Sequence, residues 1–115
     1  YAKPDGCIIL VSDNLDSVGC IGMRPLDKIT CEIKRLYLKP SYRGFGLGRL
    51  LTEKVLEYCT EREYIKAYLD TTTRMKSAIN IYESLGFIKT SPYYNNPLAD
   101  VRFFKLNLVN ALKKK

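Results

Sequence analysis

Leu36-Tyr37-Leu38-Lys39-Pro40-Ser41-Tyr42-Arg43-Gly44-Phe45-Gly46-Leu47-Gly48-Arg49 runs a strand, a turn and a helix start together in fourteen residues. The first part closes a β-strand that begins at residue 29, and Pro40 ends it because proline brings no N–H to a ladder. The middle, Arg43 to Gly48, is a glycine-rich turn. The last part opens a helix in which Leu47, Leu50, Leu51, Val55 and Tyr58 recur at i, i+3, i+4 spacing, with Glu53, Glu57 and Glu61 on a more polar face. A helix start exposes unpaired N–H groups and a partial positive charge. Glycines let an anion approach those groups closely, and Arg43 and Arg49 flank the turn with charged donors. A pyrophosphate is the natural guest. The glycines read G-x-G-x-G, so this is neither a dinucleotide fingerprint nor, lacking Gly-Lys-Ser/Thr, a Walker loop. Taken alone, the residues also fit a tight turn before a helix.

The flanking segments supply the rest of the sheet. Strand 29–38 alternates so that Glu32, Lys34, Leu36 and Leu38 share one face and Cys31, Ile33, Arg35 and Tyr37 the other. Upstream, 7–11 reads as a buried strand, Asp13-Asn14 as a turn, and 17–23 as the second strand of a hairpin ended by Pro25. Downstream, 65–70 reads as a strand, and Thr72 or Thr73 as the cap of a second helix. That helix carries Met75, Ala78, Ile79, Tyr82 and Leu85 on one stripe. Gly86 suits its C′ position, with Phe87 as the apolar contact beyond. Strands at 87–90 and 101–108, separated by the loop Ser91–Asp100, complete the set. The order predicts an α+β fold: one domain over residues 1–115 with a mixed central sheet and a single right-handed, parallel β-α-β crossover.

Composition narrows the chemistry. Hydrophobic residues at 46% and charged residues at 27% are ordinary globular usage. No run approaches the ~18 apolar residues of a membrane helix, and residues 1–6 do not begin a signal peptide. Of the net charge of +7, three units sit in the terminal run Lys113-Lys114-Lys115. What remains suits a polyanionic small ligand and does not call for nucleic acid. There is no histidine, so Ser-His-Asp, Cys-His and His-ligated zinc sites are excluded within this chain; no metal is expected. Cys7, Cys20, Cys31 and Cys59 form no C-x-x-C pair and read as free thiols of a reducing, cytoplasmic compartment.

Arg43-Gly44-Phe45-Gly46-Leu47-Gly48 resembles the R/Q-x-x-G-x-G/A pyrophosphate loop of the GNAT superfamily of N-acetyltransferases. Ala78-Ile79-Asn80-Ile81-Tyr82-Glu83-Ser84-Leu85-Gly86-Phe87 resembles the A-x-x-x-Y-x-x-x-G-F segment of the same family, in the right order and spacing. Cys31–Tyr37 and Pro92–Pro97 resemble a bacterial-type subgroup. Family domains begin with a strand and two helices ahead of the hairpin; here the resemblance starts at the hairpin. That expectation leaves an open sheet edge, which predicts a homodimer or another compensating association.

The resemblance implies a GNAT-like sheet with acetyl-CoA as cosubstrate and an amine acceptor, on a small molecule or a protein. It implies that the pantetheine arm pairs with Leu36, Tyr37 and Leu38, and that Arg43, Gly44, Phe45, Gly46, Leu47, Gly48 and Arg49 hold the pyrophosphate. Met75 stands where many members carry a cofactor-binding Asn, leaving van der Waals contact from Met75 and Ala78. Tyr82 matches the tyrosine that protonates the leaving thiolate; the bland alternative is a core aromatic. Glu32 resembles the strand glutamate that serves some members as general base; the alternative is an ion pair with Lys34 or Arg35. Asp70 is a weaker base candidate and a natural helix cap. Oxyanion stabilisation falls to backbone N–H near Leu38. Tyr93, Tyr94, Asn95 and Asn96 read as a surface loop or a border of the acceptor site.

Three functions follow in order: N-acetyl transfer by direct attack of a primary amine, a non-catalytic acyl-CoA-binding module, and a basic nucleic-acid-binding domain, against which the scattered cations argue.

Overall fold

The computed structural model describes residues 6–96 and 99–109. Pro97 and the terminal lysines, two of the features singled out above, lie outside the described residues. The elements run β1 (Cys7–Asp13), β2 (Asp16–Pro25), β3 (Thr30–Leu38), a 3-10 turn (Pro40–Tyr42), α1 (Leu47–Glu61), β4 (Lys66–Thr72), α2 (Lys76–Ser84), β5 (Ile88–Thr90) and β6 (Val101–Asn107). The strands form one sheet in the order β1-β2-β3-β4-β6-β5. This is the α+β, mixed-sheet architecture expected from the sequence. All neighbours are antiparallel except β3 and β4, the pair that brackets α1. Asn14, with φ 57°, supplies the left-handed residue of the two-residue β1–β2 turn.

The expected alternation along β3 breaks midway. Gly22 faces Lys34 but Cys20 faces Tyr37, so Ile21 opposes an extra residue; Arg35 there has φ 63°. A bulge of this kind flips every later side chain to the other face. Leu36 and Leu38 therefore pack against the core that holds Cys31 and Ile33, instead of sharing a face with Glu32 and Lys34.

That core joins Ile21, Met23 and Ile33 of the sheet to Leu51, Val55, Leu56 and Cys59 of α1 and to Ala78 and Tyr82 of α2. The buried stripe of α1 is rotated from the expected one: Leu50 is 46% exposed while Thr52 is buried, its hydroxyl donating to the Gly48 carbonyl at 2.7 Å. The start of α2 also differs. Neither Thr72 nor Thr73 caps it, and Asp70 does not either; Met75 holds the N-cap position without a side-chain bond. The β-branched threonines extend β4 instead, with Thr71 and Thr72 paired to Arg102 and Val101. At the other end Gly86, φ 103°, lets Phe87 N–H return to the Tyr82 carbonyl at 3.0 Å, the closure expected there. Phe87 then packs its ring on Tyr82, centroids 5.7 Å apart.

Candidate active site

β3 and β4 pair only over Thr30–Glu32 and Lys66–Tyr68. Beyond those three pairs the parallel strands part, and β3 continues to Leu38 bonded to β2 on its other side. A cleft of about 520 Å³ lies at this end of the sheet. Ten of the twelve residues expected to hold the cosubstrate line it: Leu36, Tyr37, Leu38, Arg43, Gly44, Gly46, Gly48, Arg49, Met75 and Ala78. Phe45 and Leu47 do not; Phe45 is 77% exposed. Arg74, Lys76, Ser77 and Ile81 join the lining from the α2 side. A larger hollow of about 710 Å³, between the 25–28 turn and the end of α1, lies at the opposite end of the sheet, far from these groups.

Local structure explains why the cleft suits an anion. Gly44 and Gly46 have φ of 85° and 84°, values that cost an L-residue roughly 1–2 kcal/mol, and a Cβ on either would meet nothing within 4 Å. Gly46 is the N-cap of α1, with no side-chain cap and no acidic residue in the first turn. The first N–H groups of α1 are therefore left for a ligand. The third glycine does a different job: a Cβ on Gly48 would lie 3.1 Å from Ile81 Cδ1, where α1 and α2 touch. Arg43 is anchored by Nε donating to the Leu38 carbonyl at 2.8 Å, with its guanidinium 5.8 Å from the Tyr37 ring centroid. Arg49 donates to Ser84 Oγ at 2.6 Å. Four cations and no carboxylate line the cleft. These residues fit a pyrophosphate-bearing cosubstrate.

The sheet face turned away from α1 carries the second half of the site. Glu32 is 1% exposed. Its Oε1 accepts from Arg24 Nε at 2.6 Å and lies 3.5 Å from Lys34 Nζ; its Oε2 accepts from Tyr93 Oη at 2.5 Å. Burial pushes its pKa up, but the bonds from Tyr93 and Arg24 and the nearby positive charges outweigh it and hold the carboxyl below the usual carboxylate range. The Tyr93 ring packs on Tyr68, Tyr94 and Phe103 with centroids 5.0, 5.2 and 5.3 Å away. Burial and the Glu32 bond push the Tyr93 phenol far up. Asp70, paired in β4 with Phe103 of β6, accepts from Tyr94 Oη at Oδ2, and Asn96 donates to Tyr94 Oη at 3.0 Å. Desolvation and the Asp70 bond raise the Tyr94 phenol.

Tyr82 packs in the core that α1, α2 and the sheet share. It does not line the 520 Å³ cleft. Its ring is buried, yet its hydroxyl makes no hydrogen bond among the described residues and is not a sealed polar atom. Burial, then the Asp70 charge, push its pKa up to about 12. The loop 91–96 brings its two tyrosines onto two carboxylates. Arg24, Tyr68 and Phe103 carry no signal of their own in the sequence; they enter the site through strand register, Arg24 opposite Glu32 and Phe103 opposite Asp70.

The model of the Acetyltransferase (GNAT) family matches residues 1–87, three quarters of the chain. The chain belongs to the GNAT acetyltransferase family. An uncharacterised N-acetyltransferase of Schizosaccharomyces pombe is 34% identical over 110 residues, covering 94% of this chain and 68% of its relative. One of Dictyostelium discoideum is 46% identical over 79 residues, covering 68% of this chain and 37% of the relative. A GNAT family acetyltransferase of Elizabethkingia anophelis, solved with acetyl-CoA bound, shares the fold at a TM-score of 0.76 and 21% identity, over 90% of this chain and 76% of its own. This GNAT chain therefore spans from about a third to three quarters of these proteins' lengths. No helix among its described residues is long and apolar enough to cross a membrane.

Proposed function

We propose that this GNAT chain transfers the acetyl group of acetyl-CoA to a primary amine by direct attack. The observation that carries the reading is the uncapped, glycine-opened start of α1, facing a cation-lined cleft where β3 and β4 part. In this reading Leu36, Tyr37 and Leu38 offer strand backbone to the pantetheine arm, residues 43–49 hold the pyrophosphate, and Met75 and Ala78 form the facing wall. Tyr82 protonates the departing thiolate. A phenol with its pKa pushed up to about 12 stays protonated until a strong base forms beside it, and its hydroxyl is not spent on a protein acceptor. Glu32, with both oxygens occupied, is a positioning residue that fixes Tyr93 and so the aromatic wall.

Two further features fit this reading. The four cysteines are free, which supports a reducing, cytoplasmic setting. β1 has no neighbour on its outer edge among the described residues, which supports pairing of two copies; sedimentation velocity giving a monomer removes that expectation.

Calorimetric titration with acetyl-CoA and with CoA is the test, followed by thiol release in the presence of amines. Micromolar binding with release supports the enzyme. Binding without release for any amine leaves an acyl-CoA-binding module. Absence of binding by folded protein removes the reading.

A further inference from the structure

We propose that Asp70, and not Glu32, takes the proton from the acceptor amine; the inference rests on the acetyl-transfer reading above. The two carboxylates stand on neighbouring strands of one sheet face but are dressed differently. Glu32 is sealed, with Oε2 closed by Tyr93 and Oε1 closed by Arg24 with Lys34 beside it. At 1% exposure it offers no open approach to an amine behind these partners. Asp70 is half-buried. Tyr94 holds Oδ2, and among the described residues nothing bonds Oδ1. One oxygen is thus fixed in place and the other is open.

Position agrees with this. The last β3–β4 pair is Glu32 with Tyr68, and Asp70 follows two residues later on the same face, at the point where the strands have parted. An amine reaching a thioester laid along Leu36–Leu38 enters through that gap. Asp70 is also close enough to Tyr82 for its charge to act on the phenol.

The step balances as follows. The ammonium gives one proton to Asp70 Oδ1, and the freed lone pair forms the C–N bond to the acetyl carbon while the carbonyl electrons move to oxygen. The adduct re-forms the carbonyl, the C–S bond breaks, and the sulfur keeps the electron pair. The nitrogen's second proton replaces the one Tyr82 gives to the sulfur. Asp70 returns its proton to water. No redox partner is involved.

The test compares two small acceptors, propylamine and hydroxylamine, by thiol release from acetyl-CoA at pH 7. Propylamine is an alkylammonium, with a pKa near that of lysine, about 10.4, and needs a base. Hydroxylamine is already neutral. Asp70→Asn is expected to lose about 100-fold in kcat with propylamine, the lower end of general-base contributions, and less than about tenfold with hydroxylamine. Glu32→Gln is expected to change both alike and by less than about tenfold, since it removes no proton acceptor. Asp70→Glu, which keeps the carboxylate, guards against a folding defect and is expected to stay within about tenfold of the parent on propylamine. Equal losses on both amines, or equal losses in Asp70→Asn and Asp70→Glu, mark a structural position and overturn the proposal. So does a Glu32→Gln loss confined to propylamine. Parent protein that releases no thiol with either amine overturns the acetyl-transfer reading itself, and this proposal with it.

Discussion

The cleft at the start of α1 and the wall on the other sheet face are built from different materials. The cleft rests on backbone: two glycines at positive φ, a helix end with no cap, and strands that stop pairing. The wall rests on side chains: two carboxylates, two phenols and an arginine that meet only because the sheet register and the late loop bring them together. A backbone site depends on what glycine alone can do and tolerates most other changes. A side-chain site depends on each hydrogen bond, and its members differ according to which oxygens are left open.

The sharpest way to break this contrast is at Tyr82, the proposed proton donor. Tyr82→Phe keeps the ring that packs on Phe87 and removes only the hydroxyl. Turnover is expected to fall by about 100-fold, the scale of one general acid, while acetyl-CoA affinity measured by calorimetry stays within about twofold of the parent, since Tyr82 does not line the cleft. Unchanged turnover returns Tyr82 to the core and leaves the acid unassigned.

A smaller effect is expected at Gly46. A Cβ there meets no atom within 4 Å, so crowding of the protein is not the issue. The cost is conformational, φ of 84°, together with obstruction of the N–H groups beyond it. Gly46→Val is expected to lower CoA affinity by at least about tenfold, because its side chain stands before the helix N–H groups a phosphate must approach closely. Calorimetry reads this directly. Full affinity in the variant makes the turn purely structural.

The same contrast explains what was legible in the sequence. Strand–turn–helix, the glycine spacing and the Tyr82–Gly86–Phe87 ending are local patterns, and they lie where the periodicities put them. Three things were not local. The bulge at Arg35 moved Leu36 and Leu38 to the core face, and no pattern in residues 29–38 marks a one-residue insertion that only the β2 register reveals. Asp70 at the end of its strand reads as a helix cap, but pairing of Thr71 and Thr72 with β6 carries the strand past it. Tyr93 and Tyr94 lie 61 and 24 residues from the carboxylates they reach, a separation that propensity and spacing do not encode.

The smallest effect separates the two carboxylates by stability. The folded pKa of Glu32 lies below its ordinary value of 4.5, so its contribution to stability is fully present above about pH 4.5. It is lost as the pH falls through the folded value. Glu32→Gln removes that dependence. It also leaves Tyr93 or Arg24 facing an amide donor, a loss of about 1 kcal/mol at pH 7, or a fall in Tm of about 4 °C for a domain of this size. Because Glu32 gains nothing from its partners once protonated, the stability gap between parent and variant is expected to narrow steadily below pH 4.5. Tyr94→Phe, by contrast, is expected to shift Tm by less, since Asp70 is half-buried and water can take the place of the phenol. Thermal unfolding of the three proteins across that range reads all of this at once. A gap that stays constant with pH means the Arg24–Glu32–Tyr93 cluster holds the wall by shape alone, and the difference between the sealed and the open carboxylate is then one of packing, not of charge.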